Sequence, residues 1–190
     1  MNTKSIMIVG VGGQGSLLAS RLMGSVLLSQ GFDVKVSEVH GMSQRGGSVV
    51  TYVKYGDKVF SPVIEKGEAD IVIAFEQLEG ARWLSYLKKG GKLIISTQKT
   101  NPMPVIIGSA KYPEEIIEKI EALGVDVISV NALEVAEKLG NSKASNVVIM
   151  GVVSKLLDFE QKIWDDAIVE CVPQKFLELN KKAFEAGQNI

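Results

Sequence analysis

The feature that most constrains this chain is the glycine-rich segment GVGGQG at residues 10–15, which directly follows an apolar run at residues 6–9. Apolar residues at helical spacing begin after it, near Ser16. This order predicts a strand, a tight turn and a helix. The glycine spacing fits the G-x-G-x-x-G pattern of a dinucleotide-binding turn, where backbone N–H groups at the helix start favour an anion. The predicted binding residues of this turn are Gly10, Gly12, Gly13, Gln14 and Gly15.

Each glycine of this pattern also has a structural task. The first permits the turn, the second lets another group approach the backbone, and the third lets the helix pack closely on the strand. A tight strand-to-helix turn that binds no ligand is therefore the alternative interpretation.

The rest of the chain alternates between strand and helix patterns. Strands are predicted at residues 33–39, 48–55, 69–75, 92–96 and 125–130. Helices are predicted at residues 14–30, 78–88, 113–123, 132–139, 146–157 and 173–186. This alternation predicts one α/β domain over residues 1–190, with a doubly wound, mostly parallel sheet. Gly56 and Asp57 predict the turn of an added β-hairpin, with residues 58–64 as its returning strand.

Two features of the C-terminal half carry further expectations. Residues 146–157 are apolar on almost every side, which predicts a helix in the core or one covered by a partner chain. Gly187 follows the last helical pattern and is expected to lie past the end of that helix.

Composition excludes several classes of protein. The formal net charge is −1, so no basic field favours nucleic acid or an anionic membrane. The apolar stretches are too short to span a bilayer, and no leader is evident, so we expect a cytoplasmic location. One cysteine, Cys171, and one histidine, His40, cannot build a zinc site or a cysteine-held iron–sulfur cluster. Cys171 itself is expected to be a small buried residue.

Further candidates follow the second predicted strand. In open parallel sheets, ligands bind beyond the carboxyl ends of the strands, so the glycine turn, Glu38 and Glu76 should share one edge. Glu38 ends a strand about where a dinucleotide fold places the acid for ribose hydroxyls, or else it is a loop carboxylate that pairs with Arg45 or is solvated. His40 is a possible base or ligand contact, or a surface group.

The polar loop at residues 40–47, HGMSQRGG, supplies the remaining candidates. Arg45 beside two glycines could hold a phosphate or carboxylate, or could simply tie the loop down. It also stands where a G-x-S-x-G nucleophile elbow needs its last glycine, so no serine hydrolase site is predicted. No catalytic residue is assigned. The predicted binding residues of this region are Glu38, His40, Ser43, Gln44, Arg45, Gly46 and Gly47.

Several of these motifs together resemble a known family. They are GVGGQG at residues 10–15, EVHGMSQRGGSV at 38–49, SP at 61–62, and EAD at 68–70 before an apolar strand that ends at Glu76. Over nearly the whole chain the sequence resembles the gamma-type domain of 2-oxoacid:ferredoxin oxidoreductases, in particular its indolepyruvate branch.

The resemblance implies a role inside a complex. Such enzymes oxidatively decarboxylate aryl pyruvates to aryl-acetyl-CoA, using thiamine diphosphate, iron–sulfur clusters, CoA and ferredoxin as acceptor. The thiamine and clusters belong to a larger alpha subunit, so this chain is expected to be inactive alone. The alternatives are a stand-alone nucleotide-dependent oxidoreductase, which would use the glycine turn and Glu38, and a nucleotide-binding module without catalysis.

Overall fold

A computed structural model describes residues 3–39 and 47–190. Its strands are β1 (Lys4–Val11), β2 (Asp33–Glu38), β3 (Ser48–Gly56), β4 (Ala69–Ala74), β5 (Leu87–Ser96) and β6 (Asp126–Val130). Its α-helices are α1 (Ser16–Ser29), α2 (Gln77–Trp83), α3 (Met103–Ile106), α4 (Ile116–Ala122), α5 (Ala132–Lys138), α6 (Ser145–Ser154), α7 (Gln161–Cys171) and α8 (Leu177–Gln188). Single 3₁₀ turns lie at Leu84–Tyr86, Ser142–Ala144 and Gln174–Phe176.

The described strands form one six-stranded sheet in the order β2-β3-β1-β4-β5-β6. β3 runs antiparallel to both of its neighbours, whereas β1, β4, β5 and β6 pair in parallel. Because β3 ends at the edge where β4 begins, residues 57–68 join the two without a crossover helix. The connection after β1 leads to β2 at one edge of the sheet, whereas the connection after β4 leads to β5, toward the other edge. The strand order therefore switches beside β1, where α/β sheets bind ligands.

The predicted mostly parallel sheet is confirmed, but the predicted hairpin is wrong in its partner. Residues 58–64 form no strand, and β3 pairs with β1 and β2 instead. The segment is unsuited to a ladder because Pro62 has no N–H to donate. In addition, the Asp33 carboxylate accepts the N–H of Val59 at 2.8 Å. β3 gains more by covering β1 along its whole length, from Lys4 to Val11.

Helices cover both faces of the sheet and enclose two apolar cores. Ile6 and Ile8 of β1 point into the core beneath α1, α5, α6, α7 and α8. Met7 and Val9 point into the other core, beneath α2 and α4. All four side chains are at most 1% exposed, as expected for a central strand of a parallel sheet.

The apolar helix α6 belongs to the core of this chain. Its residues from Asn146 to Ser154 are buried, and α1, α5, α8 and β5 pack around it. The helix is therefore covered by its own chain and leaves no apolar face for a partner.

Gly187 corrects a prediction made for the last helix. It lies inside α8 rather than past its end. A Cβ at Gly187 would lie 1.9 Å from the carbonyl oxygen of Val148, and one at Gly151 would lie 2.1 Å from that of Phe184. These two glycines let the backbones of α6 and α8 come into direct contact. Packing against α6, rather than the end of the helix, therefore explains the glycine at position 187.

The boundary between α2 and β5 also differs from prediction. The helix ends at Trp83, and β5 begins at Leu87 rather than at residue 92. The ladder with β4 shifts register between Ala69 and Ile71, and Gly90 has a φ of 78°. A left-handed glycine therefore lets a bulged strand continue where the sequence predicted the end of the helix and a short glycine connection.

Candidate functional site

A cavity of about 310 Å³ opens at the carboxyl-terminal edge of the sheet, on the face covered by α1. Its lining comes from the glycine turn, the start of α1, the end of β2 and the start of β3. The described residues that line it are Gly12, Gly13, Gly15, Ser16, Leu17, Glu38, Val39, Val49 and Thr51. The predicted meeting of the glycine turn with Glu38 is thus seen in the structure.

The turn presents its backbone through two left-handed glycines. Gly13 has a φ of 99° and Gly15 a φ of 86°, values that residues with a Cβ rarely adopt. A Cβ at Gly13 would meet nothing within 4 Å, so this position faces open space. Gly15 is the N-cap of α1, and no side chain caps the helix. Backbone N–H groups at the start of this helix are therefore available to an anion.

Gly15 also packs against the core helix α6. A Cβ there would lie 2.2 Å from Nδ2 of Asn146, which donates to the carbonyl oxygen of Gly15 at 3.1 Å. The third glycine of the motif is thus needed for contact with α6 in addition to its place at the turn.

The side chain of Gln14 holds the turn rather than lining the cavity. Its Oε1 accepts the N–H of Val11 at 2.7 Å, and its Nε2 donates to the carbonyl oxygen of Phe75 at 3.2 Å. Gly10 supports this arrangement, since a Cβ there would lie 2.8 Å from Oε1 of Gln14 and 3.2 Å from Cβ of Phe75. In this structure Gln14 and Gly10 join the ends of β1 and β4 and do not reach the cavity.

Gly12 departs from the dinucleotide pattern. Its N–H donates to the carbonyl oxygen of Gly47 at 2.9 Å. In a dinucleotide-binding turn the second glycine lies against the pyrophosphate. Here the amide is already engaged by the residue that precedes β3, so a phosphate in the cavity must use the N–H groups that follow.

Glu38 closes the opposite side of the cavity. Its carboxylate accepts a hydrogen bond from the hydroxyl of Ser20 on α1. In register it lies opposite Thr51 of β3, which lies opposite Ile8 of β1, so two strand spacings, about 10 Å, separate it from β1. A dinucleotide fold places its ribose-binding acid on the strand next to β1. Glu38 therefore lies at the cavity but one strand farther out.

The predicted candidates His40, Ser43, Gln44, Arg45 and Gly46 lie outside the described residues. The chain leaves the described part after Val39, which lines the cavity, and returns at Gly47, which contacts the turn.

Glu76 shares the edge but is used by the fold. It is 1% exposed and caps α2 by accepting the N–H of Glu79 at 2.9 Å. It also accepts the N–H of Thr100 at 3.1 Å and the hydroxyl of Tyr112. Burial raises the pKa of Tyr112, and the Glu76 carboxylate raises it further. Glu76 therefore fastens residues 97–112 to the sheet.

Two further sequence-based expectations can be compared with the described residues. Cys171 is half-buried rather than buried, and burial followed by the Glu170 carboxylate raises the pKa of its thiol. Within residues 3–39 and 47–190, no group of three or more His, Cys, Asp or Glu could hold a metal ion. Every helix in the same ranges is too short or too polar to cross a membrane.

Chemically, the cavity has a donor end and an acceptor end. N–H groups and the positive end of the α1 dipole lie at Gly13–Leu17, whereas the Glu38 carboxylate lies across the opening. An anionic group is therefore favoured beside α1.

Comparison with known proteins agrees with the sequence motifs. The family model described as pyruvate ferredoxin/flavodoxin oxidoreductase matches residues 5–190. The chain belongs to this oxidoreductase family. The resemblance inferred from residues 10–15 and 38–49 is thereby confirmed.

Two relatives within the family are similar over their whole length. Indolepyruvate oxidoreductase subunit IorB of Archaeoglobus fulgidus is 41% identical over 97% of this chain and 94% of its own length. The IorB subunit of Thermococcus kodakarensis is 39% identical over 98% of this chain and 95% of its own length. The gamma subunit of a keto/oxoacid ferredoxin oxidoreductase from Geobacter sulfurreducens has the same fold, with a TM-score of 0.73, 24% identity and coverage of 98% and 96% of the two chains.

The described contacts also show what sequence reasoning missed. The partners of Gln14 at Val11 and Phe75, and the buried carboxylate Glu79, were not singled out. A glutamine inside a glycine turn was a usable signal, because the only large polar side chain of a tight turn commonly bonds to neighbouring backbone. For Glu79 no local signal existed, since its burial depends on elements far away in the sequence.

Proposed function

We propose that this chain is the small subunit of an indolepyruvate-type 2-oxoacid:ferredoxin oxidoreductase. The observation that carries the proposal is its identity of 39–41% to two IorB subunits, each matched over almost the full length of both chains. Both relatives are named as subunits, which implies a larger partner subunit.

In the proposed complex the chemistry is divided between the subunits. An aryl pyruvate loses its carboxyl group as carbon dioxide, its acyl group forms a thioester with CoA, and the electron pair leaves to ferredoxin. Thiamine diphosphate would supply the electron sink, and iron–sulfur clusters would carry the electrons, both in the larger subunit. One cysteine and one histidine in this sequence support that division, because a typical cluster needs four cysteine ligands.

The cavity at the glycine turn supports a contact with CoA or another phosphate-bearing group. Gly13 leaves room for a phosphate to approach the backbone, and the start of α1 supplies N–H donors. The Glu38 carboxylate would repel the same phosphate, so the phosphate is expected beside α1 and away from β2. Arg45 with Gly46 and Gly47 remains the predicted second anion contact.

Two observations disfavour the alternative of a stand-alone dinucleotide-dependent oxidoreductase. The N–H of Gly12 is engaged by Gly47, and β3 separates Glu38 from β1. Both features remove contacts on which the dinucleotide mode depends.

The decisive experiment is purification of the native complex. A tagged full-length chain, recovered from cells that express it naturally, is expected to bring down a larger, cysteine-rich subunit. That complex should reduce ferredoxin with indolepyruvate and CoA, and reduce it much more slowly with pyruvate or 2-oxoglutarate. Recovery of the chain alone, or equal rates with all three acids, would overturn the proposal.

A second measurement separates the alternatives on the chain by itself. Calorimetric titration with NAD, NADP, FAD and CoA is expected to show no tight dinucleotide binding. The chain alone is also expected to show no turnover. Micromolar binding of a dinucleotide, abolished by Gly13→Val, would instead favour the stand-alone oxidoreductase.

A further inference from the structure

A buried carboxylate lies behind the glycine turn, on the face of the sheet opposite the cavity. Glu79 of α2 is 4% exposed and accepts three hydrogen bonds. Two come from its own helix, from Nε of Arg82 at 3.1 Å and from Nε1 of Trp83 at 3.3 Å. The third comes from the hydroxyl of Ser48, which lies 31 residues away in the sequence. A buried charge with this many donors is well satisfied, and only the Ser48 bond reaches outside the helix.

Ser48 connects this carboxylate to the cavity wall. It is the first residue of β3 and lies opposite Val11 in the ladder with β1. The residue before it, Gly47, accepts the N–H of Gly12, and Gly12 lines the cavity. A continuous path therefore runs from the Glu79 carboxylate, through the Ser48 hydroxyl and the Gly47 carbonyl, to the amide of Gly12.

The first bond of this path is charge-assisted. A hydrogen bond to a buried carboxylate is shorter and stronger than one between neutral groups. The single indole N–H of Trp83 is shared between the Glu79 carboxylate at 3.3 Å and the Ser48 hydroxyl at 3.4 Å, so it adds a weaker second contact to this hydroxyl. These contacts fix the position of the Gly47 backbone, at the start of β3, relative to the glycine turn.

We propose that Glu79 is a positioning residue, which through Ser48 holds the Gly47 carbonyl on the Gly12 amide and so sets the wall of the cavity. The path to the amide is made of described contacts alone. The effect on ligand binding rests on the proposed function, because it assumes that a CoA-like anion binds in the cavity.

Glu76, the N-cap of α2, provides a matched control. It is an equally buried carboxylate three positions earlier, and it accepts a hydroxyl from Tyr112 as Glu79 accepts one from Ser48. Besides the N–H of Glu79, the described contacts of its carboxylate are with Thr100 and Tyr112, and none of them is with Gly12. Ser48→Ala and Tyr112→Phe therefore each remove one hydroxyl donor from a buried carboxylate, but only the first cuts the path to the turn.

The first test uses amide hydrogen exchange on the ¹⁵N-labelled full-length chain. Ser48→Ala is expected to speed exchange at the Gly12 amide by about tenfold or more, since a charged hydrogen bond no longer holds its acceptor. Ser48→Thr, which keeps the hydroxyl, should restore protection, and Tyr112→Phe should leave Gly12 unchanged. Equal Gly12 exchange in Ser48→Ala and Tyr112→Phe would overturn the proposal, whatever the complex turns out to oxidise.

The second test uses the assembled oxidoreductase. Ser48→Ala is expected to raise the KM for CoA by about tenfold with little change in kcat, because the wall that meets the ligand is displaced while the chemistry lies elsewhere. Tyr112→Phe should not raise it. Faster Gly12 exchange with an unchanged KM for CoA would refute the link to ligand binding.

Discussion

The two left-handed glycines of the turn are expected to fail in different ways when each is replaced by alanine. Both substitutions strain the backbone by about 1–2 kcal/mol, because a Cβ is unfavourable in the left-handed region. At Gly13 nothing lies within 4 Å of the new methyl group, so strain is the whole cost. At Gly15 the methyl group would lie 2.2 Å from Nδ2 of Asn146, which must move.

The movement of Asn146 sets the size of the difference. Asn146 is 4% exposed and would lose its hydrogen bond to the Gly15 carbonyl, leaving a buried polar group unsatisfied at a cost of about 1–3 kcal/mol. Gly15→Ala should therefore cost about 2–5 kcal/mol in all, against about 1–2 for Gly13→Ala. For a chain of this size each kcal/mol lowers the melting temperature by roughly 2–4 °C.

Denaturant unfolding of the full-length chain measures both values, and a double mutant tests the cause. Asn146→Ala removes the obstacle, so the double variant with Gly15→Ala should be about 1–3 kcal/mol more stable than additivity predicts. Additive effects, or equal costs at Gly13 and Gly15, would refute the contact with α6 as the reason for the third glycine. In the assembled enzyme we expect Gly13→Ala to weaken CoA binding more than Gly15→Ala does, because the methyl group at position 13 enters the cavity.

Further predictions concern packing, pH and the polar loop. Gly187→Ala should destabilise the chain by about 2 kcal/mol or more in denaturant melts, because the new methyl group meets the Val148 carbonyl. Gly24→Ala in α1, which has open space around its Cβ, should instead stabilise the chain by about 0.5–1 kcal/mol. An unchanged stability in Gly187→Ala would contradict the backbone contact between α6 and α8. Burial raises the pKa of Asp70, but hydrogen bonds from Lys88 and from the N–H of Ser5, together with nearby positive charge, bring this pKa below its ordinary value of 3.8. The ionised carboxylate therefore stabilises the fold above pH 3.8, and this stabilisation is lost as the pH falls through the lower pKa of the folded state. Asp70→Asn should thus lose stability at pH 7 and converge on the wild type in strong acid; a gap independent of pH would argue against this ionisation. Arg45→Ala should raise the KM for CoA of the complex by roughly 10- to 100-fold without lowering the melting temperature. A lower melting temperature with an unchanged KM for CoA would instead indicate a structural ion pair.

The sequence by itself determined the local elements and the family. An apolar run that meets closely spaced glycines can form little other than a strand and a tight turn, because few residues adopt a positive φ without strain. The alternation that follows predicted the α/β class and the meeting of the glycine turn with Glu38 at one edge. The motif at residues 38–49 carried the family, although residues 40–46 lie outside the described structure.

Only the tertiary structure decided which distant groups complete each contact. The sequence placed β3 in a hairpin with its own successor, but β1 offered it a longer and more buried partner. The glycine turn looked open to a phosphate, yet Gly47 engages its second amide, and α6 packs against its third glycine. Glu79 gave no local sign of its buried contact with Ser48.

These contacts share one physical reason for being invisible in the sequence. Residue spacing records which face of a helix or strand is apolar, because that periodicity repeats every few residues. A single hydrogen bond or a close glycine contact leaves no repeated pattern, and its partner is chosen by the packing of elements that are distant in the chain, as with Gly15 and Asn146, which lie 131 residues apart.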